Sequence, residues 1–324
     1  MKEDYVYERL GTNCIRVFAL EPGGFGDPLK GTLVEWDLQN LEDREYEVLS
    51  YVWGRYYPGC FVDIGNTRVK IFGSLDDALR HLRWKHDVRY IWADSICINQ
   101  FDIQEKSSQV LLMAEVYQKA RTVNIWVGLS NENSAVGIEI LSFLASNADF
   151  QGDQPWTRHP PELSLAGLND ILRRPYFQRI WVVQEVVVAK HLRMIVGRQS
   201  FEWFTAATNR FLTRLKFAEI SPGWEQAGLS GVNMTPLIEI VELSNIKACA
   251  FQPKVGSLDI IHNMRHRKAT DRRDMVFALI GLAQETRFQV DYTLTTEELY
   301  QRLLTHFEGK FSEHLQISES RMEE

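Results

Sequence analysis

Cysteine is scarce in this chain. Four occur in 324 residues, Cys14, Cys60, Cys97 and Cys249, scattered and without a close pair. That excludes a dense disulfide scaffold and supplies no metal-ligand pair, so free thiols in an intracellular, cytoplasmic protein are the expectation. Positive charge is short as well. Lys and Arg number 36 against 43 Asp and Glu, a net charge of −7, so no electrostatic pull toward nucleic acid or anionic membrane is expected. No uncharged apolar run is long enough to span a bilayer. The opening Met1-Lys2-Glu3-Asp4-Tyr5 lacks the apolar stretch of a secretory signal. Neither a Walker-type loop nor a Rossmann Gly-x-Gly-x-x-Gly fingerprint is present. No internal repeat or low-complexity tract appears.

What is there is enough to build a large core. Hydrophobic residues make up 45% and charged ones 24%, which argues against wholesale disorder. Alternating stretches predict strands at 14–20, 32–38, 46–54 and 122–128, with a hairpin at 60–71 around Gly65-Asn66. Short apolar runs at 89–94 and 192–197 read as further strands. Ser74 to Asp77 and Asp102 to Glu105 have capping-box spacing ahead of helical stripes. Helical patterns follow at 134–145, 161–172 and 201–217. Asp271 is placed to cap a helix with Met275, Ala278 and Leu279 inward, and Thr295 and Glu298 form another capping box. Strands alternating with helices predict an α/β layer fold with a largely parallel sheet. Two regions are expected: an α/β domain over 13–200 and a mostly helical extension over 201–324, fraying at its polar end.

One stretch carries the chemistry: Arg179-Ile180-Trp181-Val182-Val183-Gln184-Glu185-Val186-Val187-Val188-Ala189. A carboxylate among Val and Trp is costly to bury unless something answers it. In a helix Trp181 and Glu185 share a face, and an indole beside a carboxylate suits a flat ligand on which positive charge develops. Equally, Glu185 lies two turns from Gln178 and continues a polar stripe. Upstream, Pro175 fits a helix's first turn.

Three blocks stand in order: Tyr46 to Gly54 (YEVLSYVWG), Ile91 to Gln100 (IWADSICINQ) and Arg179 to Val186 (RIWVVQEV). Together they resemble the HET (heterokaryon incompatibility) domain of filamentous fungi. Thr270-Asp271-Arg272-Arg273-Asp274 and Asp291-Tyr292 also fit that pattern. The resemblance implies a role in non-self recognition ending in programmed cell death, a form of innate immunity, with a partner protein and self-assembly on activation. HET domains are in turn similar to TIR domains, which implies a TIR-like, flavodoxin-like core. In active TIR members a glutamate placed like Glu185 cleaves NAD between nicotinamide and ribose, so the resemblance implies an NAD glycohydrolase (NADase, a hydrolase) using NAD as substrate and no cofactor. The alternative is a death-signalling module that turns nothing over.

In open α/β sheets ligands bind beyond the carboxyl ends of strands. That rule makes Ser50, Trp53, Gly54, Asp94 and Asn99 candidates for contacting substrate beside Trp181, with Glu185 as the candidate catalytic residue. Each has an ordinary reading too: Trp53 as core, Gly54 as turn, Asp94 as helix cap. Arg55 reads better as surface than as a phosphate contact. His262 and His266, at i and i+4, lack a third metal ligand. Cys97 reads as a buried thiol. The run 265–273 reads as a solvated turn with Asp271 and Asp274 in local ion pairs.

Overall fold

Residues 5–146, 153–204, 208–248, 257–282 and 288–307 are described by a computed structural model. Among them one sheet collects nine strands: β1 Cys14–Leu20, β2 Leu29–Asp37, β3 Glu47–Tyr51, β4 Phe61–Ile64, β5 Thr67–Lys70, β6 Arg89–Trp92, β7 Thr122–Gly128, β8 Leu192–Val196 and β9 Gln199–Phe204. Their spatial order is β5-β4-β2-β1-β6-β3-β7-β8-β9. The central β6, β3, β7 and β8 run parallel. In chain order these four stand 2-1-3-4, the sequence of a flavodoxin-like sheet. The flanks are mixed, with β1 antiparallel to both β2 and β6, and β9 antiparallel to β8. The expected α/β fold is therefore present, parallel at its centre rather than throughout.

β3 is buried at every residue, as a strand covered on both faces must be. Its one acid is answered. Glu47 meets Arg89 at 2.5 Å and Arg121 at 2.7 Å, and Asn124 Nδ2 donates to it at 2.6 Å. Burial pushes the Glu47 carboxyl up, but these donors outweigh it and hold the group below the usual carboxylate range.

Helices follow where the apolar stripes recur: Gly73–Leu82, Ile103–Lys119, Ser134–Ala145, Pro161–Leu172 and Trp181–Val187. Asp102 caps the second as its spacing predicts, accepting from the Gln104 and Glu105 amides. Ser74 does not cap. The Gly73–Leu82 helix starts after Phe72, and the Ser74 hydroxyl instead lies 2.5 and 2.6 Å from the carbonyls of Val52 and Trp53. It thereby ties down the loop that follows β3.

The helix expected over 201–217 is corrected. Its first residues form β9, and a helix spans Thr208–Glu219. Gly197, at φ +58°, opens a two-residue connection that folds β9 back on β8. The sheet accordingly runs past the expected boundary at 200. Beyond it the chain is helical at Thr235–Ala248, Ser257–Met264, Asp274–Ile280 and 296–307. Asp271 is not the cap of its helix; Arg273 takes that place and Asp271 accepts the Arg273 amide at 3.0 Å. The Thr295 box closes as expected, with Glu298 N–H donating to Thr295 Oγ1 and Thr295 N–H to the Glu298 carboxylate at 3.2 and 2.7 Å. Cys249 and the polar end, 312–324, lie outside the described residues. Among the described residues no helix is long and apolar enough to cross a membrane.

Candidate active site

β3 and β6 end side by side, and the chain leaves both at the same edge of the sheet. Val52, Trp53 and Gly54 follow β3; Asp94 follows β6. These residues border a cavity of about 640 Å³. Gly54 has φ +69°, a left-handed conformation that only glycine adopts freely. The Trp53 ring stacks on Phe72 at 5.2 Å, and Tyr56 stacks on Phe72's ring at 4.1 Å. Trp53 Nε1 lies 2.9 Å from both carboxylate oxygens of Asp94. Burial raises the Asp94 carboxyl above its ordinary range; Arg179 and the indole pull the other way without cancelling it.

The opposite wall comes from later in the chain. Trp181 opens the Trp181–Val187 helix, and Tyr292 OH donates to Asp274 at 2.6 Å. Burial raises the Asp274 carboxyl too. Lys106, on the Ile103–Lys119 helix, sits 4.1 Å from the centre of the Tyr292 ring. The segment after residue 264 is stitched to the backbone around Arg179, just ahead of the Trp181–Val187 helix. Ile180 N–H donates to Lys268 O at 3.0 Å and Lys268 N–H to Gln178 O at 2.7 Å. The solvated turn expected over 265–273 is thus corrected in part. Arg267 is buried, donating to Phe177 O, Pro236 O and Glu239. Asp271 does pair locally, with Arg273 at 2.6 Å, whereas Asp274 accepts from Tyr292 OH.

Glu185 does not line this cavity. It is 2% exposed, in a polar cluster closed over by the core. Ser50 Oγ donates to Glu185 Oε2, and Tyr176 OH lies 2.8 Å from Ser50 Oγ. Burial pushes the Glu185 carboxyl up to about 7, against the attraction of Arg179 and the Ser50 hydrogen bond. Arg179 lines the cavity, donates to Tyr51 O, and acts on both Glu185 and Asp94. It is the link between the open cavity and the closed cluster. Gln178, expected with Glu185 on a polar stripe, is half-buried and belongs to the short Pro175–Gln178 turn before the helix, so no such stripe forms.

Of the residues singled out from the sequence, Trp53, Gly54, Asp94 and Trp181 meet at the cavity, and Ser50 and Glu185 meet in the closed cluster. Asn99 joins neither group. Its Oδ1 accepts the Phe101 amide at 3.2 Å and its own amide donates to Glu105 at 2.7 Å, a turn-forming role. Its neighbour Gln100 is the one at the cavity. Sequence reasoning did not find Arg179, Lys106, Asp274 or Tyr292. Arg179 headed the motif stretch, and Asp274 and Tyr292 lay in matched blocks, so position within a motif was the available signal. Among the described residues no group of three His, Cys, Asp or Glu could hold a metal.

The arrangement offers aromatic walls, three half-buried carboxyls (Asp94, Asp271 and Asp274) and flanking cations around one opening. Such a site can hold a flat ring and favour positive charge beside it. Residues 46–185 match the family model described as Heterokaryon incompatibility protein (HET). A curated relative, Heterokaryon incompatibility protein 6, OR allele, of Neurospora crassa, is 24% identical, over 78% of this chain and 45% of its own length. The chain thus spans less than half the length of that relative. No solved structure matches.

Proposed function

From the match of residues 46–185 to the HET family model, we propose that this chain is a HET domain protein acting in fungal non-self recognition ending in cell death, by cleaving the nicotinamide–ribose bond of NAD in the cavity beyond β3 and β6. The observation that carries this reading is the pairing of Trp53 with Asp94 at that opening, at 2.9 Å. Breaking the N-glycosidic bond develops oxocarbenium character at the ribose carbon, and a fixed carboxylate stabilises it. The departing ring is already cationic and leaves as neutral nicotinamide without a general acid. Water then adds to the ribose carbon and releases a proton, giving ADP-ribose.

Two carboxyls compete for that role. Asp94 already borders the cavity. Glu185, the residue the TIR-like resemblance favours, meets a ligand only if Ser50 and Tyr176 turn aside, because both close over it. That closure favours a second reading, in which Glu185 is structural and the domain signals by self-assembly with a partner. Nicotinamide release from NAD by the concentrated purified protein separates the two. The enzyme reading expects activity that folded Asp94→Asn or Glu185→Gln lowers by about 100-fold or more, the scale of losing a positioned charge-stabilising group. Cell killing retained by both variants, with no nicotinamide formed by the parent, would leave the signalling reading.

A further inference from the structure

A second cavity, of about 350 Å³, lies at the other end of β6. Arg89 opens that strand, whereas Asp94 follows its far end. Six cations line the cavity, Arg80, Arg83, Lys85, Arg89, Arg193 and Arg198, and no acid does. In a chain of net charge −7 this is a local inversion of sign. Three of the six are answered: Arg80 by Asp76, Arg89 by Glu47 and Arg193 by Glu202. Arg83, Lys85 and Arg198 have no ion pair among the described residues.

Arg83 and Arg89 are 8% and 4% exposed, and the Nε–H of each is buried without an acceptor. Arg83's remaining donors go to the carbonyls of Gly24, Asp27 and Pro28. Asp27 and Asp76 attract the Arg83 charge without forming an ion pair with it, so burial and its cationic neighbour still hold the group below its ordinary range. Arg80 and Arg83 repel each other, as do Arg89 and Arg193.

We propose that this cavity binds closely spaced phosphate groups. Several converging guanidinium and ammonium groups match the multiple oxygens of an oligophosphate through charge-assisted hydrogen bonds. A single small anion would leave part of the surplus charge unmet. Two sources carry that chemistry, a soluble oligophosphate and a phosphorylated inositol headgroup on a membrane.

Calorimetric titration of the full chain with inorganic tripolyphosphate tests the soluble source. Co-flotation with phosphatidylcholine vesicles, with and without phosphatidylinositol bisphosphate, tests the headgroup. Saturable binding in either arm is expected, weakening as salt shortens the range of the charges. Lys85→Glu with Arg198→Glu is the variant of choice, because both side chains are exposed and neither forms an ion pair among the described residues. It should weaken binding by about tenfold or more, and bound tripolyphosphate should raise the Tm of the parent but not of the variant. No binding in either arm, or equal affinity in the variant, would overturn the proposal. The outcome is independent of NAD cleavage at the other cavity.

Discussion

Glu185 holds its proton to higher pH than an exposed glutamate because it is sealed into the core, and its titration bears on stability directly. The folded group is pushed up to about 7 from an ordinary 4.5. Between those values the folded chain keeps a proton that the unfolded chain releases, so stability falls as pH rises through the window and levels off above it. Glu185→Gln imitates the protonated form at all pH values. Relative to that variant, the parent should lose on the order of 3 kcal/mol between pH 4 and pH 8, at ~1.4 kcal/mol for each pH step between the unfolded and folded midpoints. Urea unfolding at both pH values measures it; a gap that stays constant would mean burial does not govern this group. Asp94 differs because its indole partner faces an opening. Trp53→Phe removes the donor and keeps the ring, so Asp94 should ionise at higher pH while the cavity keeps its stacking surface. Carboxyl NMR titration reads that change.

At the scale of elements, two helices depend on having no side chain where they touch. Ser134–Ala145 and Pro161–Leu172 cross at Gly137 and Gly167. A Cβ on Gly137 would lie 2.2 Å from Gly167 O, and one on Gly167 would lie 2.6 Å from Gly137 N. Backbone stands on both sides of the contact, so no side chain can swing away. Gly137→Ala and Gly167→Ala should each cost about 1–3 kcal/mol through overpacking, seen as a lowered urea midpoint. Either variant matching the parent would show that the helices part freely. The β8–β9 hairpin teaches a related lesson. Phe201 to Phe217 carries a helical pattern, yet a left-handed glycine at 197 turns the first residues back onto β8. Pairing with an open strand edge outweighed local periodicity.

Over the whole molecule, the stretch that matches the HET family model ends at residue 185, but the cavity does not. Its far wall is built from Lys268, Asp271, Asp274 and Tyr292. The helices Thr235–Ala248 and Asp274–Ile280 both pack on the Trp181–Val187 helix. A chain ended after Phe204 should therefore expose apolar surface, bind a hydrophobic dye and melt lower than the full chain. An equally stable, dye-silent fragment would show that the α/β part stands without its extension. Composition is a poor guide at this scale. A net charge of −7 gave no pull toward anions, while six cations gather at one end of β6.

Amino-acid order by itself determined most strands of an α/β fold, the helices with clear caps and the motif blocks, because these rest on local alternation, capping chemistry and matched residue strings. It also marked Trp53, Gly54 and Asp94, which border one cavity, since strand ends are readable before the strands are arranged. Only the tertiary structure decided that Glu185 faces Ser50 under a closed core rather than the opening, and that residues from 268 onward complete the opening. Helical spacing fixes which side chains share a face. It does not fix what that face is pressed against, which depends on contacts between segments far apart in the chain.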